Sequence, residues 1–323
     1  MLDMSRTRRN RAARPGAPRG AQAVTILMAV HRGARHLEAQ LDSLAAQTHR
    51  NWHLVVSMDG PEDGASEILD RHPIRDRILR VDGPNRGSAA NFLHLMRQGP
   101  AGTFWAFCDQ DDVWLPHKLA AALERLETVP WNRVAMYHSR SLVTDDALGS
   151  PRLSAARPRQ ASFSNALVQN IAGGNTIVLT PAATRLVHAA VQETGEVVVH
   201  DWWLYQLITG AGGLVLHDDA PGLLYRQHGG NLIGANTGLR ARARRLRLVL
   251  DGTYRRWMEV NLAALQASAR HFTPENRHRL RRLALARRQP LAARLRMLRE
   301  IGIHRQTQLA SSVMWLSVLL GRF

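Results

Sequence analysis

Apolar and polar positions in the N-terminal half change period repeatedly, and each change marks an element. Val24 to Val30 (VTILMAV) is a short continuous apolar run of strand length, and Leu37 to Ala46 then carries apolar residues at helical spacing. The pair recurs: Trp52 to Met58 (WHLVVSM) reads as a second strand that stops on the turn Asp59-Gly60-Pro61, and Ala65 to Asp70 opens a helix. Ile78 to Asp82 predicts a third strand, Ser88 to Gln98 a helix, and Thr103 to Cys108 a fourth strand. This cadence predicts an α/β fold with a mostly parallel central sheet covered by helices on both sides. In such sheets the ligand sits outside the carboxyl ends of the strands. Those ends carry His31, Asp59, Asn85-Arg86-Gly87 and the acids Asp109 and Asp111, so a nucleotide site follows.

The fourth strand holds the most informative chemistry. In TFWAFCDQDDVWLPHKL an apolar run ends on Asp109, Asp111 and Asp112, before a turn and a helical pattern that starts near Pro116. Three acids in four positions repel one another and are tolerable when exposed or when a cation offsets their charge. Oxygen ligands select Mg²⁺ or Mn²⁺ and leave coordination positions open for a phosphate-bearing substrate. The competing reading is a helix start with solvated acids, Asp112 serving as the cap.

Composition then limits the setting. The chain of 323 residues is 45% hydrophobic, enough for one large core or two modest ones. Its one cysteine, Cys108, excludes an intrachain disulfide, fits a reducing compartment, and reads as packing, since no base is evidently paired with it. The net charge of +17 is concentrated at the two ends. Residues 1–23 hold six Arg against one acid and lack the apolar core of a secretory signal, so they read as a disordered basic tail. Residues 237–323 hold nineteen Arg against four acids, and the middle is mildly acidic. No segment reaches the roughly eighteen apolar residues of a spanning helix. The C-terminal stretches nevertheless read as amphipathic basic helices, ending in the apolar dozen Leu309 to Leu320. Such helices suit an anionic leaflet, while a solvated helical hairpin closing the globule explains the same pattern. Nucleic acid is not expected, because the region shows no recognition motif or stacking platform.

Six segments in order resemble the inverting glycosyltransferases of family 2, which have the GT-A fold. They are VTILMAVHRG with LEAQLDSLAAQTHRNWHLVVSMDG, then NRGSAANF, DQDDVWLPHKL, AGGNTIVL, HDWWLYQLI and YRQHGGN, spanning roughly residues 24–235. The DQDDVWLP and YRQHGGN blocks look most like bacterial rhamnosyltransferases that build surface polysaccharides. The resemblance implies a transferase domain over 24–236, between the basic tail over 1–23 and the Arg-rich helical extension over 237–323 that the charge pattern marks. It further implies a cytoplasmic enzyme, and the amphipathic basic helices add the expectation of peripheral contact with the inner face of the membrane. The implied donor is a dTDP- or UDP-sugar, rhamnose from dTDP-rhamnose above all, and the implied acceptor is a lipid-linked or cell-surface glycan.

Carried over by position, the resemblance places Ala29, His31 and Asp59 at the nucleotide base, and Asn85, Gly87 and Asn91 along the ribose and sugar wall. Asp109 and Asp111 match the DxD pair, with Asp111 the direct metal ligand and Asp109 also at the donor. Gly173, Gly174, Asn175 and Thr176 match the loop lining donor sugar and acceptor, Asp201 matches the general base, and Arg226 and His228 lie where polar groups return to the diphosphate or acceptor. Asp112 is then the cap or supporting acid of the helix beyond Pro116. Plainer readings stand beside these: Asp201 as a helix cap, Asp59 and Asn85 as turn formers, His228 as a loop histidine, and Trp202 and Trp203 as core. The chain departs from the family in having Met58-Asp59 for paired acids, His31-Arg32 for Tyr-Asn, and His200-Asp201 for Glu-Asp. A QxxRW motif, the mark of processive members, is missing, which favours transfer of a single sugar. Two further classes fit the acids, a metal-dependent phosphohydrolase or nuclease and a catalytically silent nucleotide-binding module.

Overall fold

The computed structural model describes residues 22–227 and 251–323. Each of the first four apolar runs forms a strand: β1 (Val24–Val30), β2 (Trp52–Met58), β3 (Ile78–Asp82) and β4 (Phe104–Asp109). They pair in parallel in the order β3-β2-β1-β4. Parallel strands need crossovers, and the helical segments supply them: α1 (Ala34–Ala45), α2 (Ala65–Arg71) and α3 (Ser88–Gln98). The chain moves outward from β1 to β3 and then returns to the other side of β1. The carboxyl ends of β1 and β4 therefore lie side by side, with Ala29 in register with Asp109.

Beyond β4 the same sheet continues with mixed directions. The strands are β5 (Val113–Trp114), β6 (Ala135–Thr144), β7 (Arg152–Leu153), β8 (Val178–Leu179) and β9 (Leu214–Arg226). The order runs on from β4 through β8, β6 and β9 to β5, with β7 on β6. β6 and β9 are parallel, whereas β8, β5 and β7 pair antiparallel. The helices between are α4 (Lys118–Glu127), the short α5 (Phe163–Ala166), α6 (Pro181–Val191) and α7 (His200–Gly210).

Alternation along the central strands divides the core in two. In β4, Trp105 and Phe107 enter one cluster while Ala106 and Cys108 enter the other, so the strand is buried on both faces. One cluster takes Leu37 and Leu41 of α1, Leu69 of α2 and Leu119 and Leu123 of α4. The other takes Phe92 of α3, Val187 of α6 and Trp203 and Leu207 of α7. It also takes Met258 of α8 (Thr253–Ala267), Leu283 of α9 (Pro274–Ala286), Leu298 of α10 (Leu291–Glu300) and Val318 of α11 (Gln308–Leu319). The basic C-terminal helices thus share the apolar core of the sheet, a tie that their charge pattern concealed. Among the described residues no helix is long and apolar enough to cross a membrane.

Candidate active site

The end of β1 is held by reciprocal hydrogen bonds from the loop after β4. The His31 N–H donates to Gln110 Oε1 at 2.7 Å, and Gln110 Nε2 donates to the His31 carbonyl at 2.9 Å. The neighbouring strand ends are tied in turn. Buried Asp59 donates its N–H to the Val30 carbonyl at 2.7 Å, and its carboxylate accepts the Asn85 N–H. His31 Nδ1 bonds to the Asp59 carbonyl, which turns the imidazole back over Gly60. A Cβ at Gly60 would lie 2.6 Å from that ring nitrogen, and its φ of +127° suits glycine. Beside this turn is a cavity of about 450 Å³ lined by Met58, Gly60, Glu62, Ser66, Arg80 and Asp82. Asn85 and Gly87 sit exposed just before α3, and the Asn91 amide is buried beneath them, donating to the Ser57 carbonyl at 3.3 Å. Asp59 thus ties the loop after β2 to the loop that leads into α3.

The three acids after β4 occupy three environments. Asp109 ends the strand half-buried; burial pushes its carboxyl up to about 7, repulsion from Asp111 and Asp201 adds to this, and Lys118 offsets part. Asp111 is half-buried, and its carbonyl accepts Arg226 Nε at 2.8 Å. Asp112 is fully buried and accepts the Asn175 side-chain amide and, at 3.1 Å, the Arg226 N–H. The expectation that Asp112 caps the next helix is corrected: α4 begins at Lys118 behind His117, with no side-chain cap. Asp112 instead joins the carboxyl ends of β4 and β9 to the glycine loop. Burial, followed by repulsion from Asp109 and Asp111, raises its carboxyl well above the usual range. Lys118, the single lysine of the chain, is buried over the Trp114 ring, and burial depresses it to about 7.

The glycine loop brings in the last carboxylate. Gly174–Thr176 form a 3₁₀ turn, and Thr176 Oγ1 donates to the Gly173 carbonyl at 2.7 Å. The Gly174 N–H donates to Asp201 Oδ2 at 3.1 Å, and Asn170 gives Asp201 a side-chain hydrogen bond. Asp201 lies in the first turn of α7, behind Val199 as the cap residue, and accepts the Trp202 N–H at 2.7 Å. Burial nevertheless pushes it up to about 6, against those donors. His200 stacks on Phe92 with ring centroids 3.8 Å apart, and burial drives it down to about 3, so it is neutral. A Cβ on Gly174 would lie 2.5 Å from His200 Nε2, which is why the loop can approach α7 this closely. Trp202 and Trp203 are both buried, as core.

Asp109 and Asp201 are thus within electrostatic reach although 92 positions apart in the sequence. The fold also brings Arg226 to the acids; His228 lies outside the described residues. Sequence reasoning overlooked Gln110, Asn170 and Lys118. Gln110 sits inside the acidic motif and Asn170 just before the glycine loop, but their partners are backbone and carboxylate groups far along the chain. Among the described residues no group of three or more His, Cys, Asp or Glu side chains could hold a metal ion. An ion here would draw one or two carboxylates from the protein, and the rest of its shell from phosphate and water, a set that suits Mg²⁺ or Mn²⁺. The repulsion at Asp109 and the burial of its carboxyl fit such a charge.

Comparison with known proteins gives the same architecture. Residues 25–144 match the family model described as Glycosyl transferase family 2. The chain is 26% identical over 239 residues to the dTDP-rhamnosyl transferase RfbG of Shigella flexneri, covering 71% of this chain and 81% of that one. It is 24% identical over 157 residues to the Escherichia coli UDP-Glc:alpha-D-GlcNAc-diphosphoundecaprenol beta-1,3-glucosyltransferase WfgD, covering 48% and 59%. Among solved structures it is similar to S. aureus TarS 1-349 in complex with UDP-GlcNAc, with a TM-score of 0.52, 12% identity and coverage of 87% and 90%. That last likeness is one of fold, the GT-A arrangement of a mixed sheet between helices.

Proposed function

We propose that this chain, a glycosyltransferase carrying a family 2 domain over residues 25–144, moves a single sugar from a nucleotide-sugar to a glycan acceptor with inversion at the anomeric carbon. The observation that carries the reading is the convergence of Asp109 and Asp201 at the carboxyl ends of β1 and β4. Asp109 would serve the donor diphosphate, and Asp201, within electrostatic reach of it, lies on the first turn of α7. Inversion by direct displacement needs an acceptor hydroxyl that loses its proton as it attacks C1. Asp201, ionised above about 6 and steadied by the Gly174 and Trp202 N–H groups, is the group to take that proton. The cavity lined by Gly60, next in sequence to the Asp59 carbonyl that meets His31 Nδ1, has room for a nucleobase. Asp111 and Asp109 would hold a Mg²⁺ or Mn²⁺ ion, which when bound stabilises charge on the departing nucleoside diphosphate. Arg226, tied to Asp111 and Asp112, keeps that loop in place.

Rhamnose from dTDP-rhamnose is the donor favoured by the similarity to RfbG, and a lipid-linked or cell-surface glycan is the favoured acceptor. A screen of donor hydrolysis with dTDP-rhamnose, other dTDP-sugars and UDP-sugars, with and without Mn²⁺, tests both donor and metal. Turnover of a nucleotide-sugar with metal supports the reading. Asp111→Ala should abolish it while the thermal midpoint stays close to wild type, because Asp111 is half-exposed and the bond from Arg226 to its carbonyl survives the substitution. Undiminished turnover in that variant would remove the metal role.

A further inference from the structure

We infer that the outward face of α11 is a membrane-docking surface for an anionic lipid bilayer. The helix buries Met314, Ser317 and Val318 against the core and turns Leu309, Val313, Leu316, Leu319 and Leu320 to solvent. Those five side chains follow helical spacing, and four of them are about half exposed or more, from 49% at Leu316 to 61% at Leu309. A continuous apolar stripe of this kind on a folded protein marks a contact surface. The helix has 12 residues, about 18 Å, so it lies in an interface rather than crossing one.

The charge around the stripe selects the occupant. Residues 251–323 carry fourteen Arg and four acids. Glu259, Glu275 and Glu300 are each already bridged to an arginine. Arg288, Arg296, Arg299 and Arg322 are exposed and make no ion pair among the described residues. Arg296 and Arg299 lie on α10, which packs against α11, and Arg322 follows the stripe directly. A second copy of the chain would bring these same cations against one another across the apolar stripe. Anionic headgroups would meet them, while the leucines enter the acyl boundary.

The surface is also joined to the candidate site. Arg159 donates to Gln308 Oε1 at 2.8 Å, the Gln306 N–H to Gln169 Oε1 at 2.8 Å, and Asn165 Nδ2 to the His304 carbonyl at 2.9 Å. Residues 159–169 lead straight into Asn170 and the glycine loop, so docking α11 fixes that loop relative to the bilayer. A lipid-linked acceptor is the class of substrate such a placement serves.

The test is co-sedimentation of the full chain with phosphatidylcholine vesicles, with and without phosphatidylglycerol, beside donor hydrolysis on the same samples. Binding should require phosphatidylglycerol and weaken with salt. Leu316→Glu with Leu320→Glu should reduce it at least about tenfold, and each of Arg296→Glu and Arg299→Glu by roughly fivefold or more. All four side chains are exposed, so the thermal midpoint and donor hydrolysis should stay unchanged. Absence of binding to anionic vesicles, binding indifferent to both pairs of substitutions, or a dimer in solution that Leu316→Glu dissociates would each overturn the inference. Vesicle binding without any donor turnover would leave the docking surface standing and remove the transferase reading instead.

Discussion

Asp201 holds its carboxylate against two backbone N–H groups and still titrates near 6, because burial outweighs those donors. Turnover should therefore fall as pH drops through about 6, by close to tenfold per unit below it, as the proposed base takes up a proton. The same shift affects stability, with the opposite sign to an ordinary paired carboxylate. The folded state binds this proton more tightly than the unfolded chain, so the stability it contributes is greatest below the unfolded value and declines as pH rises toward 6. Asp201→Asn should accordingly gain stability over wild type at pH 8, by about 1–3 kcal/mol, and lose that advantage toward pH 4. Denaturant titrations at both pH values check it, and an equal difference at each would mean that Asp201 is not destabilised by its charge. The neighbouring acids show what a sequence can and cannot tell at this scale. An apolar run stopping on Asp109 reveals a strand end. The fate of Asp112, buried under Asn175 and Arg226, depends on residues 63 and 114 positions away, which no local pattern records.

The central elements were legible because periodicity and packing agree. β1 to β4 and the helices between them lie where apolar runs and helical spacing put them, and strand burial on both faces follows from uninterrupted apolar sequence. The second half of the sheet was harder to read. β9 carries His217, Asp218 and Asp219 amid its apolar residues and pairs with β6 across a bulge near Arg140 and Pro221, so alternation is broken where the pairing is made. The glycine loop has no periodicity at all, and its position depends on contact with α7. Gly174→Ala would set a methyl 2.5 Å from His200 Nε2 and displace the start of α7, Asp201 included. The expected result is turnover reduced by about tenfold or more, with donor affinity kept within a few-fold, since the nucleotide end of the site is built by other strands. Steady-state kinetics with donor titration separates the two effects; equal losses in both would show that the loop serves donor binding as well.

At the scale of the molecule, the Arg-rich helices are as much core as surface. Phe272 packs edge-on to Phe163 and lies against Gly210 at the end of α7, where a Cβ would sit 2.8 Å from its ring. Asn276 holds the same corner, donating to the Thr209 and Gly210 carbonyls at 3.0 and 3.1 Å. Phe272→Ala should therefore destabilise the whole protein by about 3–5 kcal/mol in one cooperative transition, read by thermal or denaturant unfolding. A separate early transition of the C-terminal helices would show instead that they fold apart from the sheet. Charge counting marks residues 237–323 as an extension, while burial of Tyr254, Leu280, Leu298 and Phe323 in one cluster with Phe92 and Trp203 shows its described part, 251–323, sharing the sheet's core.

The measurement that bears most directly on the proposed reaction is the split between donor binding and turnover in Asp201→Asn. Calorimetry with the nucleoside diphosphate and Mn²⁺ gives the first, and transfer or donor hydrolysis gives the second. An acid that takes the acceptor proton predicts a dissociation constant within about threefold of wild type and turnover at least about a hundredfold lower. Normal turnover with nucleotide binding intact would contradict it and put the base elsewhere.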